Sequence, residues 1–200
     1  SGENLVLVLI LTAALAILLG MDVPTTASYI LASAVAAPIL TGFGIAPLNA
    51  HMFIFYFAIM SAITPPVCAS VFAAASIAKE NFWRVAGHAS LMAIALYLIP
   101  FLFIYRTGVL MEGSVFKIAY DTMFTSFAVL AITGASMGYL LGVLNWPLRI
   151  LLYLGGALLF FPAPWSDVAG AALMAIVAAA SYWHSRPVAA RPREAAQGEP

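Results

Sequence analysis

The chain has 200 residues, of which 64% are apolar and only 8% are charged. A soluble domain of this length would carry roughly three times as many charges, so the composition indicates an integral membrane protein of the helical kind. The formal net charge is zero, which does not support a nucleic-acid-binding surface, and the single cysteine, Cys68, excludes an intramolecular disulfide and a cysteine-rich metal site.

The first predicted element is a hairpin built from two short apolar segments. Residues 5–19 are apolar, residues 20–26 form a small, polar break that contains a proline, and residues 27–40 are apolar again. Each segment is short for the ~20 residues that cross a bilayer, so the pair predicts a re-entrant hairpin over residues 5–40. A single span broken at Gly20 is the alternative. No charged n-region precedes the first segment, so it is not a signal peptide, and Ser1 predicts that the chain begins inside a longer polypeptide.

A second break interrupts the next apolar stretch. Residues 48–63 and 67–78 are apolar, and Thr64, Pro65 and Pro66 lie between them. Because proline lacks an N–H and disfavours helical geometry at the residue before it, we predict a broken transmembrane helix over residues 47–78. Backbone groups that such a break leaves unpaired cost several kcal/mol each in hydrocarbon, so breaks at this depth are buried by protein or line a polar cavity.

A connector and four further spans are predicted after the broken helix. Residues 79–87 are polar and aromatic, as is typical of an interfacial connector, and the spans are predicted at residues 89–105, 119–144, 148–161 and 168–183. The predicted fold is an all-α integral membrane protein, a polytopic bundle with one re-entrant hairpin and one broken transmembrane helix. Its predicted parts are a transport-domain half (1–78), a connector and transmembrane helix (79–110), additional C-terminal transmembrane helices (111–185) and a disordered polar tail (186–200).

Positive charge predicts the orientation. If the hairpin opens outward, two basic residues, Arg106 and Lys117, lie outside, and the other six lie inside: Lys79, Arg84, Arg149, Arg186, Arg191 and Arg193. Six against two obeys the positive-inside rule, and the inverted arrangement violates it.

The two breaks together predict a binding site. Carbonyl and hydroxyl oxygens at broken membrane helices can hold a cation such as sodium, and half-helix N-termini suit a substrate carboxylate. One break alone would be read as a proline kink whose hydroxyls bond back to the helix; the second break favours function. Gly20, Ser61 and Thr64 are the predicted sodium ligands, and the wider predicted sodium and substrate site adds Asp22, Pro24, Thr25, Thr26, Ile63, Pro65, Pro66 and Val67.

Five other residues have more than one interpretation. Asp22 could hold a cation, carry a proton or cap the following helix, and the sequence leaves these open. His51 is predicted to be a hydrogen-bonded interfacial side chain rather than a proton relay, and Cys68 a small packing residue. Asp121 and Asp167 stand near predicted helix starts, where capping and helix-dipole effects explain them, and no chemistry is assigned to them.

The sequence also contains a series of regularly spaced glycines, and it lacks common catalytic motifs. Gly134, Gly138 and Gly142 recur every four residues and predict a helix face that a partner helix can approach closely. The sequence has no P-loop, HExxH or GxSxG motif, and its few deep acids and histidines do not support a membrane enzyme.

Three stretches carry a family resemblance: residues 20–30, residues 50–57 and residues 61–67. Together they resemble the fused permease of tripartite ATP-independent periplasmic (TRAP) transporters of the TAXI-associated type, over roughly residues 1–110. The resemblance implies the second half of an elevator-type ion-coupled transporter that imports small organic acids with a sodium gradient. Implied partners are a periplasmic TAXI-type binding protein, the upstream half of the same permease, a small carboxylate substrate and the lipid bilayer.

The resemblance also implies a multi-pass protein of the bacterial inner membrane with a cytoplasmic C-terminal tail, no cofactor, and sodium as the coupling ion. It implies no enzymatic activity. Two alternatives stay open: a proton-coupled carrier, because Asp22 stands in the first break, and a membrane assembly or scaffold subunit without its own transport site. Dicarboxylates, 2-oxo acids and amino acids are all candidate substrates.

Overall fold

The computed structural model describes residues 4–21 and 23–189, and side chains as far as Trp183. Among these residues the only extended pairing is an isolated bridge between Tyr139 and Val143. The described part contains nine α helices: α1 (Leu5–Leu19), α2 (Thr25–Gly42), α3 (Pro47–Met60), α4 (Ala69–Ala78), α5 (Phe82–Met92), α6 (Ile94–Tyr105), α7 (Val115–Met137), α8 (Trp146–Phe160) and α9 (Pro164–Ala189).

Three of these helices, α2, α7 and α9, are long and apolar enough to cross a membrane. Helices α5 and α6 pass the same test together but meet at a bend of 41°. The all-helical, membrane-spanning class predicted from composition is therefore confirmed. Whether α1 and α2 form a re-entrant hairpin is a question of their placement in the bilayer and stays a prediction.

Two compact units divide the chain, Ser1–Val129 and Leu130–Pro200. The core of the first unit is formed by α1, α2, α3 and α6. Alanines on α2, among them Ala32 and Ala36, are fully buried and allow close helix approach. Aromatic rings fill the space between α3 and α6, where Phe101 makes edge-to-face contacts with Phe53 and Phe57. This packing fixes the ends of α1 and α3, where the two breaks lie.

The predicted connector is itself helical. Helix α5 begins after Asn81, whose side chain accepts a hydrogen bond from the Trp83 N–H at 2.9 Å, and it continues to Met92. The bend at Ala93 then separates it from α6. Helix α5 therefore runs from the predicted connector (79–87) into the predicted span (89–105), and the bend falls inside that span.

Asp121 is not a helix cap, which is one of the two roles predicted for it from sequence. It lies in the second turn of α7 and is buried, with one carboxylate oxygen 3.7 Å from the Arg106 guanidinium. The other oxygen accepts a hydrogen bond from the Gly108 N–H at 3.0 Å. Arg106 is likewise buried. Arg106 and Asp121 therefore form a buried ion pair that joins the end of α6 to α7, and Arg106 does not lie in a solvent-exposed loop.

The predicted packing face at Gly134, Gly138 and Gly142 is also wrong. Helix α7 ends at Met137, not near residue 144, and Gly138 follows it with a φ of +71°, a left-handed conformation that glycine adopts at helix ends. Gly142 lies in the turn beyond, where its carbonyl accepts from the Leu140 N–H. The three glycines therefore do not share one helix.

Arg149 closes the end of α7 within the second unit. Its guanidinium donates to the carbonyls of Ala135 and Ser136 at 2.8 and 2.9 Å and lies over the Trp146 ring. Carbonyls in the last turn of a helix lack helical partners, so a basic side chain satisfies them. The sequence placed Arg149 on the inner side of the membrane but gave it no structural role.

The close helix approach in the second unit occurs at other glycines. A Cβ built on Gly170 of α9 would lie 2.7 Å from the Gly155 carbonyl oxygen and 2.6 Å from a Leu159 side-chain carbon of α8. Glycine is thus required where α8 meets α9. Helix α8 has 15 residues against the predicted span 148–161. Helix α9 continues to Ala189, into the segment predicted as the tail, whose remainder lies outside the described residues.

Candidate functional site

The two helix breaks meet in the first unit. Helix α1 ends at Leu19, and α3 passes into a 3-10 turn over Ser61–Ile63 that ends at Thr64 in extended conformation. The Ser61 hydroxyl lies 3.0 Å from the Gly20 carbonyl oxygen and 2.7 Å from that of Ala58. The predicted contact between the breaks is confirmed, although Ser61–Ile63 forms a 3-10 turn and is not fully unwound as predicted.

Gly20 is at this contact because no side chain fits there. A Cβ at position 20 would lie 2.3 Å from the Ser61 Oγ, 2.6 Å from the Ser61 Cβ and 2.9 Å from the Ser28 Oγ. Such distances are well inside van der Waals contact, so glycine allows the first break to press its backbone against the second.

Ser28 is a member of this cluster that the sequence reasoning missed. It lies in the first turns of α2, is fully buried, and its hydroxyl has no hydrogen-bond partner. A buried hydroxyl without a partner costs about 1–3 kcal/mol, and no protein group among the described residues satisfies this one. Its position just after a proline-bearing break was the only signal available in the sequence.

The oxygens of Gly20, Ser28 and Ser61 together suit a small cation. Ser61 has one hydroxyl proton, and donating it to the Ala58 carbonyl leaves the Gly20 carbonyl oxygen and the Ser61 lone pairs available. The Ser28 hydroxyl adds a third neutral oxygen. Freed carbonyls and hydroxyls of this kind coordinate sodium in membrane carriers with broken helices.

Thr64, predicted as a sodium ligand, is already engaged in two hydrogen bonds. Its Oγ1 donates to the Met60 carbonyl at 2.6 Å and lies 2.8 Å from the Tyr97 hydroxyl of α6. No feature of the sequence indicates Tyr97, because contact between the second break and α6 depends on tertiary packing.

The remaining predicted site residues are less buried. Pro24, Thr25 and Thr26 are exposed at the start of α2, which has no side-chain cap, and Ile63 and Pro65 are half-buried. Asp22 lies outside the described residues. On the far side of the second break, an apolar cavity of about 450 Å³ is lined by Pro66, Val67, Ala69, Phe72 and Phe82.

His51 is hydrogen-bonded and Cys68 is packed among apolar side chains, as predicted; the interfacial position of His51 stays a prediction. The Nδ1 atom of His51 is 2.9 Å from the Tyr29 hydroxyl, and the His51 side chain is half-buried on α3. Cys68 is buried and packs with Val71 and Ala86. In the described part of the chain, no three His, Cys, Asp or Glu side chains come together as a metal site would require.

These features define a multi-pass helical membrane protein with two interrupted segments in contact. Residues 1–118 match the family model described as "Tripartite ATP-independent periplasmic transporter, DctM component". Since the match covers more than half of the chain, the protein belongs to this family of membrane transporters, the permease component of TRAP systems. The family is one of transporters, not enzymes, and it works with a periplasmic binding protein and a small DctQ component. No curated protein and no solved structure matched the chain.

Proposed function

We propose that this chain is part of a sodium-coupled secondary transporter of the bacterial inner membrane, with its C-terminal tail in the cytoplasm. The transporter imports small organic acids that a TAXI-type binding protein delivers from the periplasm. In this proposal α1 and α2 form a re-entrant hairpin, and its tip meets the broken helix α3–α4 near the bilayer midplane. The upstream half of the permease completes the transport domain, which moves as an elevator.

The observation that carries the proposal is the unpartnered hydroxyl of Ser28 beside the Gly20–Ser61 contact. A structural kink would be expected to satisfy its own polar groups. A cation site, in contrast, needs oxygens whose lone pairs are left for the ion. Neutral oxygen ligands also suit a coupling ion, because that ion must bind and leave in every transport cycle.

The substrate side of the site is proposed at the start of α2 and beside the second break. Helix α2 begins at Thr25, and the N–H groups in the first turn of a helix are favourable to a carboxylate; here the hydroxyls of Thr25 and Thr26 lie beside them. The apolar cavity at Pro66 and Val67 could take the rest of a small organic acid.

Proton coupling is the second candidate, and the Tyr29–His51 hydrogen bond is the observation that favours it. Histidine side chains at membrane depth take part in the proton relays of pumps and transporters. The two mechanisms predict different driving gradients, so uptake measured with a sodium gradient alone and with a proton gradient alone separates them.

Ser28→Ala tests the proposed sodium site directly. In choline chloride the purified variant should unfold at the same temperature as the wild-type protein or higher, because a buried unsatisfied hydroxyl has been removed. In sodium chloride the variant should need about 5- to 150-fold more sodium for half of the full stabilisation. That range corresponds to losing one ligand worth about 1–3 kcal/mol. Thermal unfolding across a sodium titration measures both effects.

Ser33→Ala is the matched control, since Ser33 is also on α2 but bonds to its own helix at the Ile30 carbonyl. Its sodium dependence should equal that of the wild-type protein. An identical sodium titration for Ser28→Ala and Ser33→Ala would show that Ser28 is not a ligand.

A further inference from the structure

The hydrogen bonds of Thr64 have a definite direction. A threonine hydroxyl has one proton, and the 2.6 Å contact with the Met60 carbonyl, which can only accept, uses it. The Tyr97 hydroxyl must therefore be the donor in its 2.8 Å contact with Thr64 Oγ1. The chain of donors runs from Tyr97 to Thr64 to Met60.

Tyr97 is held in place to make this bond. It lies on α6, half-buried, and its ring packs against the core that α1, α2 and α3 form. Of the two lone pairs on Thr64 Oγ1, Tyr97 occupies one, and its hydroxyl hydrogen brings partial positive charge up to an oxygen proposed to face a cation. A donor in this place competes with the ion for the same electron density.

We propose that Tyr97 sets the sodium affinity of the second break by donating to Thr64 Oγ1, so that sodium binding and the Tyr97–Thr64 hydrogen bond oppose each other. This inference rests on the proposed function and on the prediction from sequence that Thr64 is one of the sodium ligands. Tyr97 is a positioning residue that acts on the ion through Thr64. Weak binding of a coupling ion is useful, since the ion must also leave.

Because sodium binding and the Tyr97–Thr64 hydrogen bond oppose each other, sodium binding also affects the contact between the second break and α6. With the Tyr97–Thr64 bond intact, the break is tied to α6. When sodium binds to Thr64, the Tyr97–Thr64 hydrogen bond weakens. Helix α6 and the second break then become freer to move relative to each other. By reciprocity, any movement that breaks the Tyr97–Thr64 bond should strengthen sodium binding by the same factor.

Tyr97→Phe distinguishes this role from a merely structural one, because the two roles predict opposite changes in sodium affinity. The variant keeps the ring and removes the donor, so half-maximal stabilisation should occur at about 2- to 10-fold less sodium, the size expected for one hydrogen bond. Thr64→Val should need more sodium than the wild-type protein. The double variant Tyr97→Phe/Thr64→Val should match Thr64→Val, since Tyr97 acts only through Thr64. Sodium titrations of thermal unfolding of the full permease without substrate give these values.

The controls make each outcome decisive. Tyr56→Phe removes a phenol on α3, where Tyr56 packs against Phe103, and should leave the sodium titration unchanged. If the wild-type protein responds to sodium but Tyr97→Phe binds it equally or more weakly, or Thr64→Val is unchanged, the inference is overturned and the proposed function stands. A wild-type protein that is not stabilised by sodium overturns both.

Discussion

Gly20→Ala is expected to abolish sodium-dependent transport and to destabilise the permease by about 1–3 kcal/mol, the usual cost of forcing extra volume into a packed site. The added Cβ would lie 2.3 Å from the Ser61 Oγ, so the two breaks must separate. Separation would pull the Gly20 carbonyl away from the other oxygens of the cluster. Thermal unfolding and sodium titration of the purified variant measure the two effects.

Gly42→Ala is the control for Gly20→Ala. Gly42 also ends a helix of the first unit, but a Cβ there meets nothing within 4 Å, and its stability should change by less than about 1 kcal/mol. Adding Ser61→Gly to Gly20→Ala removes both Ser61 atoms that clash and should recover part of the stability. Ser61→Ala keeps the clashing Cβ and should not. Equal behaviour of Gly20→Ala and Gly42→Ala would contradict the proposed close contact.

Removing one partner of the buried ion pair is the second change with a large expected effect. Arg106→Met and Asp121→Asn should each destabilise the protein by about 3–5 kcal/mol, because each leaves a buried charge without its counter-charge. The double variant leaves neither charge, so it should be less destabilised than the sum of the single variants. Unfolding free energies in a double-mutant cycle give the coupling.

Arg84→Met provides the comparison for this pair. Arg84 and Glu80 form an ion pair at 3.4 Å on the surface, with side chains 71% and 51% exposed, and such pairs contribute about 0–1 kcal/mol. A loss at Arg106 no larger than at Arg84 would mean that the Arg106–Asp121 pair does not hold α6 to α7.

The breaks could be predicted from sequence because their signals are local. Pro24, Pro65 and Pro66 stand in short polar stretches, and proline in such a stretch disfavours regular helix. Pro38 and Pro100, which lie in apolar stretches, are accommodated inside α2 and α6. Contact between the breaks was inferred from their shared chemistry, and the Gly20–Ser61 hydrogen bond confirms it. The helices α1, α3 and α8 begin or end within a few residues of the predicted positions for the same reason.

What the sequence did not reveal depends on contacts between distant residues. Nothing near Ser28 or Tyr97 distinguishes a hydroxyl that faces the breaks from one that faces elsewhere. Arg106 and Asp121 flank a polar loop, a pattern that fits separate surface charges as well as a buried pair. Gly138 could be a small packing residue or a left-handed helix end, and only the backbone at the end of α7 decides between them.

The central claim is that a sodium gradient drives transport through the contact between the two breaks. The direct measurement uses the full permease in proteoliposomes with its binding protein and radiolabelled succinate, 2-oxoglutarate and glutamate as probes of the three substrate classes. An inward sodium gradient, with a protonophore present, should drive accumulation of at least one probe, and Gly20→Ala should abolish it while Gly42→Ala does not. Accumulation driven by a proton gradient without sodium, and unaffected by Gly20→Ala, would contradict the account.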